Sequence, residues 1–352
     1  MSGLRSFDPA RAPAVSLLTV AAVAVFVGGL AGRSPDSLVL DVRAFMGEPW
    51  RIVTTALPHA NAIHLAFNLI WLVRLGAPIE RQLGTVRFLL LAILLGGGAA
   101  LAEYALGATG VGLSGVGYGL VGFGWVARHD PRFAGLVDRR TALLFIGWFF
   151  FCIGATLIDF LPVANVAHAV GAILGALIGG FVVARTAVRR IGSIVVGATL
   201  LVASWLGATT FRPRVNFTAS RGQDAAYLGW KLLDAAADAD AEPYLREAVR
   251  VAPHRSDWWF NLAIACSRQN KEDDALAAYR RARDTAPGDS SRAEALAGAL
   301  QNAGFTALEA GDFDRARALC AEGEATGFHD LLLGRCLTMA DRGQKWPVQD
   351  AD

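Results

Sequence analysis

The chain has 352 residues, 54% of them hydrophobic and 18% charged, with a mean hydropathy of +0.39. That is too apolar for an ordinary soluble protein, and a net charge of +2 offers no basic surface for nucleic acid. The long apolar runs lie in about the first 200 residues and the remainder is charged and alanine-rich, so two regions of different class are expected.

A membrane helix needs about 20 apolar residues. Seven candidates follow in order, at 13–31, 62–75, 88–106, 111–127, 142–160, 164–184 and 191–208. The first follows Arg5 and Arg11 but runs too long and lacks a clear cleavage site, so it reads as an anchor behind an N-terminal tail, 1–12, rather than a signal peptide. The second is short and polar for a span, which predicts walls of protein rather than lipid.

Loop charge sets the orientation. Arg74, Arg81 and Arg87 surround the second-to-third connection, Arg128, Arg132, Arg139 and Arg140 the fourth-to-fifth, and Arg185, Arg189 and Arg190 the sixth-to-seventh. The third-to-fourth and fifth-to-sixth connections carry no Lys or Arg. The N-terminus is therefore expected in the cytoplasm and the C-terminal region outside. Arg33, Arg43, Arg51, Arg212 and Arg214 weigh against this, but less.

The stretch 110–125 combines a span-like composition with glycines at 112, 115, 117, 119, 122 and 124 and a single serine, Ser114. Gly110-x-Gly112-x-x-Gly115 matches a dinucleotide fingerprint, but membrane spans surround it and no soluble strand precedes it. A nucleophile elbow needs glycine two residues after the serine, where Val116 stands. Taken alone, the stretch reads as a glycine-rich packing helix. Tyr118 shares the Ser114 face, one turn on.

The sixth span changes that balance. Ser114 and His168 each lie a few residues inside spans that start from the outer face, hence at similar shallow depth. Gly171, Gly175 and Gly179 form a ridge of small residues that admits a close neighbour. An ionisable group inside a span points to function. In the second span, His64 and Asn68 are four apart and share a face, as oxyanion donors or as an interhelical polar clamp. Asp159 is the only nearby acid this reading identifies, as a loop or cap residue.

These motifs, together with Trp50-Arg51, His59 and Gly76-Ala-Pro-Ile-Glu80, resemble the rhomboid intramembrane serine proteases over about the first 190 residues. The resemblance implies a six-helix membrane bundle, here with a seventh span. It implies Ser114 as nucleophile and His168 as base, with His64, Asn68 and the Ser114 N–H as oxyanion hole. Tyr118 is expected to stack on His168, with Gly112, Gly115 and Gly171 in support and Trp50, Arg51, His59 and Glu80 structural. It implies transmembrane protein substrates cut near the outer face, and no metal or cofactor. The rival reading is a catalytically inactive rhomboid-like protein that binds membrane clients. Such relatives lack the serine or the histidine, and both are present. A transporter is disfavoured, because no inverted repeat is visible.

Beyond a linker at 211–222 the pattern becomes amphipathic. Ala241, Leu245, Ala248 and Pro253 recur as Ala275, Tyr279, Ala282 and Pro287, a constant shift of 34 residues. That period resembles tetratricopeptide repeats. A third unit follows an insertion, with Leu300, Gly304, Ala316 and Cys320. A helical solenoid is expected at 223–340, before a tail at 341–352, either as a surface for a protein or peptide partner or as a stabilising appendage. The membrane domain is expected at 13–210, in the cell membrane and embedded in the lipid bilayer. Cys152, Cys266, Cys320 and Cys336 have no metal or CxxC spacing and read as packing residues.

Overall fold

The computed structural model describes residues 8–346 except 108, 159, 217, 219 and 329, and these residues form helices and loops with no strand. The chain divides into two compact units, Met1–Thr218 and Ala219–Asp352. Asp159 and most of the two expected tails lie outside the described residues.

The first unit contains α1 (Pro13–Leu30), α2 (Ala62–Leu83), α3 (Thr85–Leu106), α4 (Ser114–Ala127), α5 (Arg139–Leu157), α6 (Asn165–Val183) and α7 (Ala187–Ala208). Six of these are long and apolar enough to cross a membrane; α4, the expected fourth span, is not among them. Its 14 residues reach about 21 Å at a rise of about 1.5 Å each, short of the roughly 30 Å hydrocarbon layer. The helix is buried instead, with Leu120, Phe123 and Ala127 fully covered. Helix α3 is the central partner, with 56% of its apolar window buried, whereas α7 is peripheral at 11%. Large apolar side chains such as Leu144, Phe150 and Val195 remain exposed on the outer helices, as lipid contact requires.

Helix α2 continues eight residues past the expected end at 75. Gly76-Ala-Pro78 reads as a break because proline lacks an N–H and its ring crowds the carbonyl four residues back. The chain avoids that clash with a π turn over Leu72–Gly76, which widens the helix just before Pro78. Arg74 and Arg81 therefore sit on the helix, and the connection to α3 shrinks to Gly84. The extension places Glu80 under the start of α1, where its carboxylate accepts from the Ala14 and Val15 N–H groups at 2.8 and 2.9 Å while 1% exposed.

Helices α4 and α6 touch backbone to backbone. A Cβ on Gly171 or Gly175 would overlap the carbonyl oxygens of Gly115 or Gly119, and one on Gly122 would overlap that of Ala172. The glycine spacing is thus a requirement of the interface, and the cost of glycine in a helix is offset by this close contact.

The loop between α1 and α2 is held by buried Arg51, whose guanidinium pairs with Glu48 and donates to the Val39 carbonyl at 2.8 Å. Arg43 pairs with Asp36 and Asp41. Trp50 is half exposed and donates from Nε1 to the Ser37 carbonyl at 3.2 Å. The segment expected as linker splits between the units. Arg212 belongs to the first, with its guanidinium 3.4 Å above the Tyr104 ring and an Nη1 bond of 3.2 Å to the Gly107 carbonyl.

The second unit is a run of antiparallel helices: α8 (Ser220–Asp234), α9 (Asp238–Val251), α10 (Ser256–Arg268), α11 (Glu272–Thr285), α12 (Ser290–Ala310), α13 (Phe313–Ala325) and α14 (Leu331–Asp341). The insertion before the third unit is absorbed by lengthening α12 to 21 residues against 13 for α10. Small residues at the repeat positions let the paired helices close, with Gly229 against Leu245 and Gly304 against Cys320. A cavity of about 350 Å³ opens among Tyr227, Trp230, Arg255, Trp258 and Asn261. Glu242 is pushed down to about 2, chiefly by its bond to Lys271, with Arg246 and Gln269 adding to it. Two of the four cysteines are not simple packing residues. Cys320 and Cys336 are joined by a disulfide across α13 and α14, whereas Cys152 and Cys266 are free and buried. Spacing alone hid the pair, because it forms only when the two helices fold back on each other.

Candidate active site

Helix α4 begins at Ser114, so the serine occupies the first helical position rather than a place three residues inside a span. Gly112 ends the preceding loop at φ +108, a conformation that favours glycine, and a Cβ there would press on His64. The loop is anchored from the segment before α2. Thr55 Oγ1 donates to the Gly110 carbonyl at 3.0 Å, and the Gly112 N–H donates to the Thr55 carbonyl at 3.1 Å. The His59 Nδ1 lies 2.8 Å from the Leu57 carbonyl and must donate to it. Its Nε2 is then an acceptor, and it faces the Leu113 N–H at 3.4 Å. His59 therefore holds the residue immediately before the serine.

His168 is the fourth residue of α6 and 4% exposed. The close contact of α4 with α6 brings its Nε2 to 2.9 Å from Ser114 Oγ. Tyr118, one turn beyond Ser114, stacks on the imidazole, with ring centroids 4.4 Å apart and planes within 17°. The Tyr118 hydroxyl donates to the Phe145 carbonyl at 3.2 Å, which fixes the platform. The buried His168 Nδ1 has no hydrogen-bond partner among the described residues, so no carboxylate completes the pair there.

Helix α2 supplies the third side of the site. Asn61 caps it by accepting from the His64 N–H at 2.9 Å. His64 is half-buried, and its ring stands edge-on to His59 at 5.0 Å. Asn68 follows one turn later, 5% exposed, and its Nδ2 has no partner among the described residues. A buried amide donor without an acceptor is costly unless a ligand supplies one. The first N–H groups of α4 also lack intrahelical acceptors. Buried donors of this kind suit a developing negative charge, and the His64 ring lies close against Gly112 in the serine loop. Glu80, Arg51 and Trp50 lie in the scaffold contacts described above rather than at the Ser–His pair.

Two site groups have no counterpart in the sequence reading. Thr55 anchors the serine loop through both side chain and backbone. Glu103, near the end of α3, accepts from the Ala167 N–H at 2.9 Å and lines a cavity of about 20 Å³ shared with Thr55, Gly112 and Ser114. Among the described residues it is an acid beside the pair. An ionisable side chain inside an apolar run was the available signal.

Comparison with known proteins finds similarity in both units. The Rhomboid domain family matches residues 46–186, and the Tetratricopeptide repeat family matches residues 232–300. The chain is 31% identical over 187 residues to the rhomboid protease GlpG of Pectobacterium atrosepticum, covering 50% of this chain and 65% of that protein. It is 33% identical over 139 residues to GlpG of Serratia proteamaculans, covering 36% and 46%. A shorter match of 73 residues, at 34% identity, joins it to the rhomboid protease GluP of Bacillus subtilis, covering 21% and 13%. The chain thus spans less than two thirds of the length of these relatives.

Proposed function

We propose that this integral membrane protein, with its rhomboid domain at residues 46–186 and tetratricopeptide repeats at 232–300, is an intramembrane serine endopeptidase. The observation that carries the reading is the 2.9 Å contact between His168 Nε2 and Ser114 Oγ inside a membrane bundle. Serine is a weak nucleophile until a base takes its proton. In the proposed reaction His168 accepts that proton as Oγ attacks the scissile carbonyl, giving a tetrahedral oxyanion. The Ser114 N–H, His64 and Asn68 donate to the oxyanion. The imidazolium then protonates the leaving amine, the C–N bond breaks, and an acyl-serine remains. Water attacks this ester, giving its proton to His168, and the serine is regenerated with release of the carboxylic product.

Substrates in this reading are transmembrane proteins cut near the outer face. The short α4 counts as a crossing within the bundle, so seven crossings leave the N-terminus of the enzyme in the cytoplasm and the repeats outside. The arginine distribution supports that orientation. The Cys320–Cys336 disulfide suits an oxidising compartment. The repeat region then recruits clients by their outer segments.

The test is cleavage of a single-span model substrate by the purified protein in detergent. Ser114→Ala and His168→Ala each abolish product while the protein still folds. Cleavage at the full rate by either variant rejects the mechanism.

A further inference from the structure

Helix α6 carries His168 but does not cap itself. Its N-cap position is Ala164, which has no side chain to accept a backbone hydrogen. The acceptor comes from another helix. Glu103 Oε2 takes the Ala167 N–H at 2.9 Å, and the Val166 N–H faces the same carboxylate. These are among the groups that a helix start leaves without partners, and an acidic side chain is the favourable partner for that end. Ala167 immediately precedes His168.

Glu103 also borders the serine side. A Cβ built on Gly110 would meet the Glu103 Cγ at 3.5 Å as well as Ala164. Glu103 thus lies between the loop that delivers Ser114 and the turn that delivers His168, and it lines the small cavity they share. One further tie holds the α6 start, from Asn165 Nδ2 to Thr156 Oγ1 at 2.9 Å, but it reaches α5 rather than the serine side.

We propose that Glu103 is a positioning residue. As a cap supplied across helices, it sets the height and rotation of the first turn of α6, and so the distance from His168 to Ser114. The inference rests on the Ser114–His168 reading for its catalytic consequence. Among the described residues the Nδ1 of His168 makes no bond that could orient the ring, so its placement depends on the Tyr118 stack and on where the helix begins.

Three forms of the full-length protein separate the alternatives. Glu103→Leu keeps comparable bulk and removes the acceptor; Glu103→Gln keeps an acceptor oxygen at the same reach; the unaltered chain is the reference. With the single-span substrate, E103L is expected to lose about 10²-fold in kcat, the scale for a misplacement of about 1 Å. KM stays within about twofold, because the substrate surface is untouched. E103Q keeps a kcat at least about tenfold above E103L, since its amide oxygen still accepts the N–H groups. Equal kcat in all three forms, or an E103Q value as low as that of E103L, overturns the proposal. A second readout needs no turnover. Amide hydrogen exchange over residues 164–171 accelerates in E103L but not in E103Q; unchanged exchange in E103L also overturns it. If the unaltered chain cleaves nothing, the protease reading fails, and the exchange experiment still decides the capping role.

Discussion

Tyr118 lies flat against His168, its ring 4.4 Å from the imidazole. A third carboxylate normally fixes the tautomer and orientation of a catalytic histidine. Here a face-on aromatic ring, itself tied to α5 through its hydroxyl, holds the imidazole plane, and the position of α6 sets its reach toward Ser114. An ion pair buried in this apolar bundle would carry a large desolvation cost, and stacking avoids it.

Removing the stack should therefore damage geometry more than stability. Tyr118→Ala is expected to slow labelling of Ser114 by a fluorophosphonate by about 10-fold or more, within the range that general-base catalysis contributes. Tyr118→Phe keeps the ring and loses only the Phe145 bond, so its labelling rate stays close to the reference. Equal rates in Tyr118→Ala and the reference protein would show that the stack does not orient the base.

The Asn68 amide, whose Nδ2 has no partner among the described residues, distinguishes an oxyanion donor from a packing clamp. Asn68→Ala should lower kcat by about 10²–10³-fold, the effect of losing one such donor. His64→Ala should act similarly. Melting temperatures measured alongside decide the matter: a large thermal loss with an unchanged rate per folded molecule identifies a clamp instead.

The α4–α6 interface predicts sharp sensitivity to volume. Gly175→Ala places a methyl group into the Gly119 carbonyl and must push the helices apart. A loss of about 1–3 kcal/mol is expected from overpacking, together with a fall in activity as His168 moves from Ser114. Gly147→Ala, at an open position on α5, is the control. Thermal unfolding in detergent and the cleavage assay read both effects, and indifference at Gly175 contradicts the close contact.

For the repeat unit the boundary matters. A truncation should follow Thr218, because Arg212 is packed on Tyr104 within the membrane unit. The truncated protein should cleave a minimal transmembrane peptide at nearly the full rate. On a substrate with an outer domain it should show a raised KM, since tethering raises the local concentration of a bound client. Protease added to intact cells should digest the repeats. Protection of the repeats defeats the topology, and loss of activity on every substrate defeats recruitment.

Much of this was present in the sequence. Apolar runs of span length, the arginine distribution and the 34-residue repeat follow from local composition, and so specify membrane helices and a helical solenoid without three-dimensional information. The glycine ridges on α4 and α6 carry their meaning in one dimension too, because spacing by four maps to one helix face. Tertiary structure decided what spacing cannot encode. Pro78 lies within a continuous helix because a π turn absorbs it. Helix α4 is shorter than a bilayer because its neighbours, rather than lipid, cover it. Cys320 and Cys336 meet only through the packing of adjacent helices. Glu103, on α3, serves the start of α6, 64 residues away. A hydrogen bond acts over about 3 Å of space whatever the separation along the chain, so the cap of the histidine helix is legible only after the helices have packed.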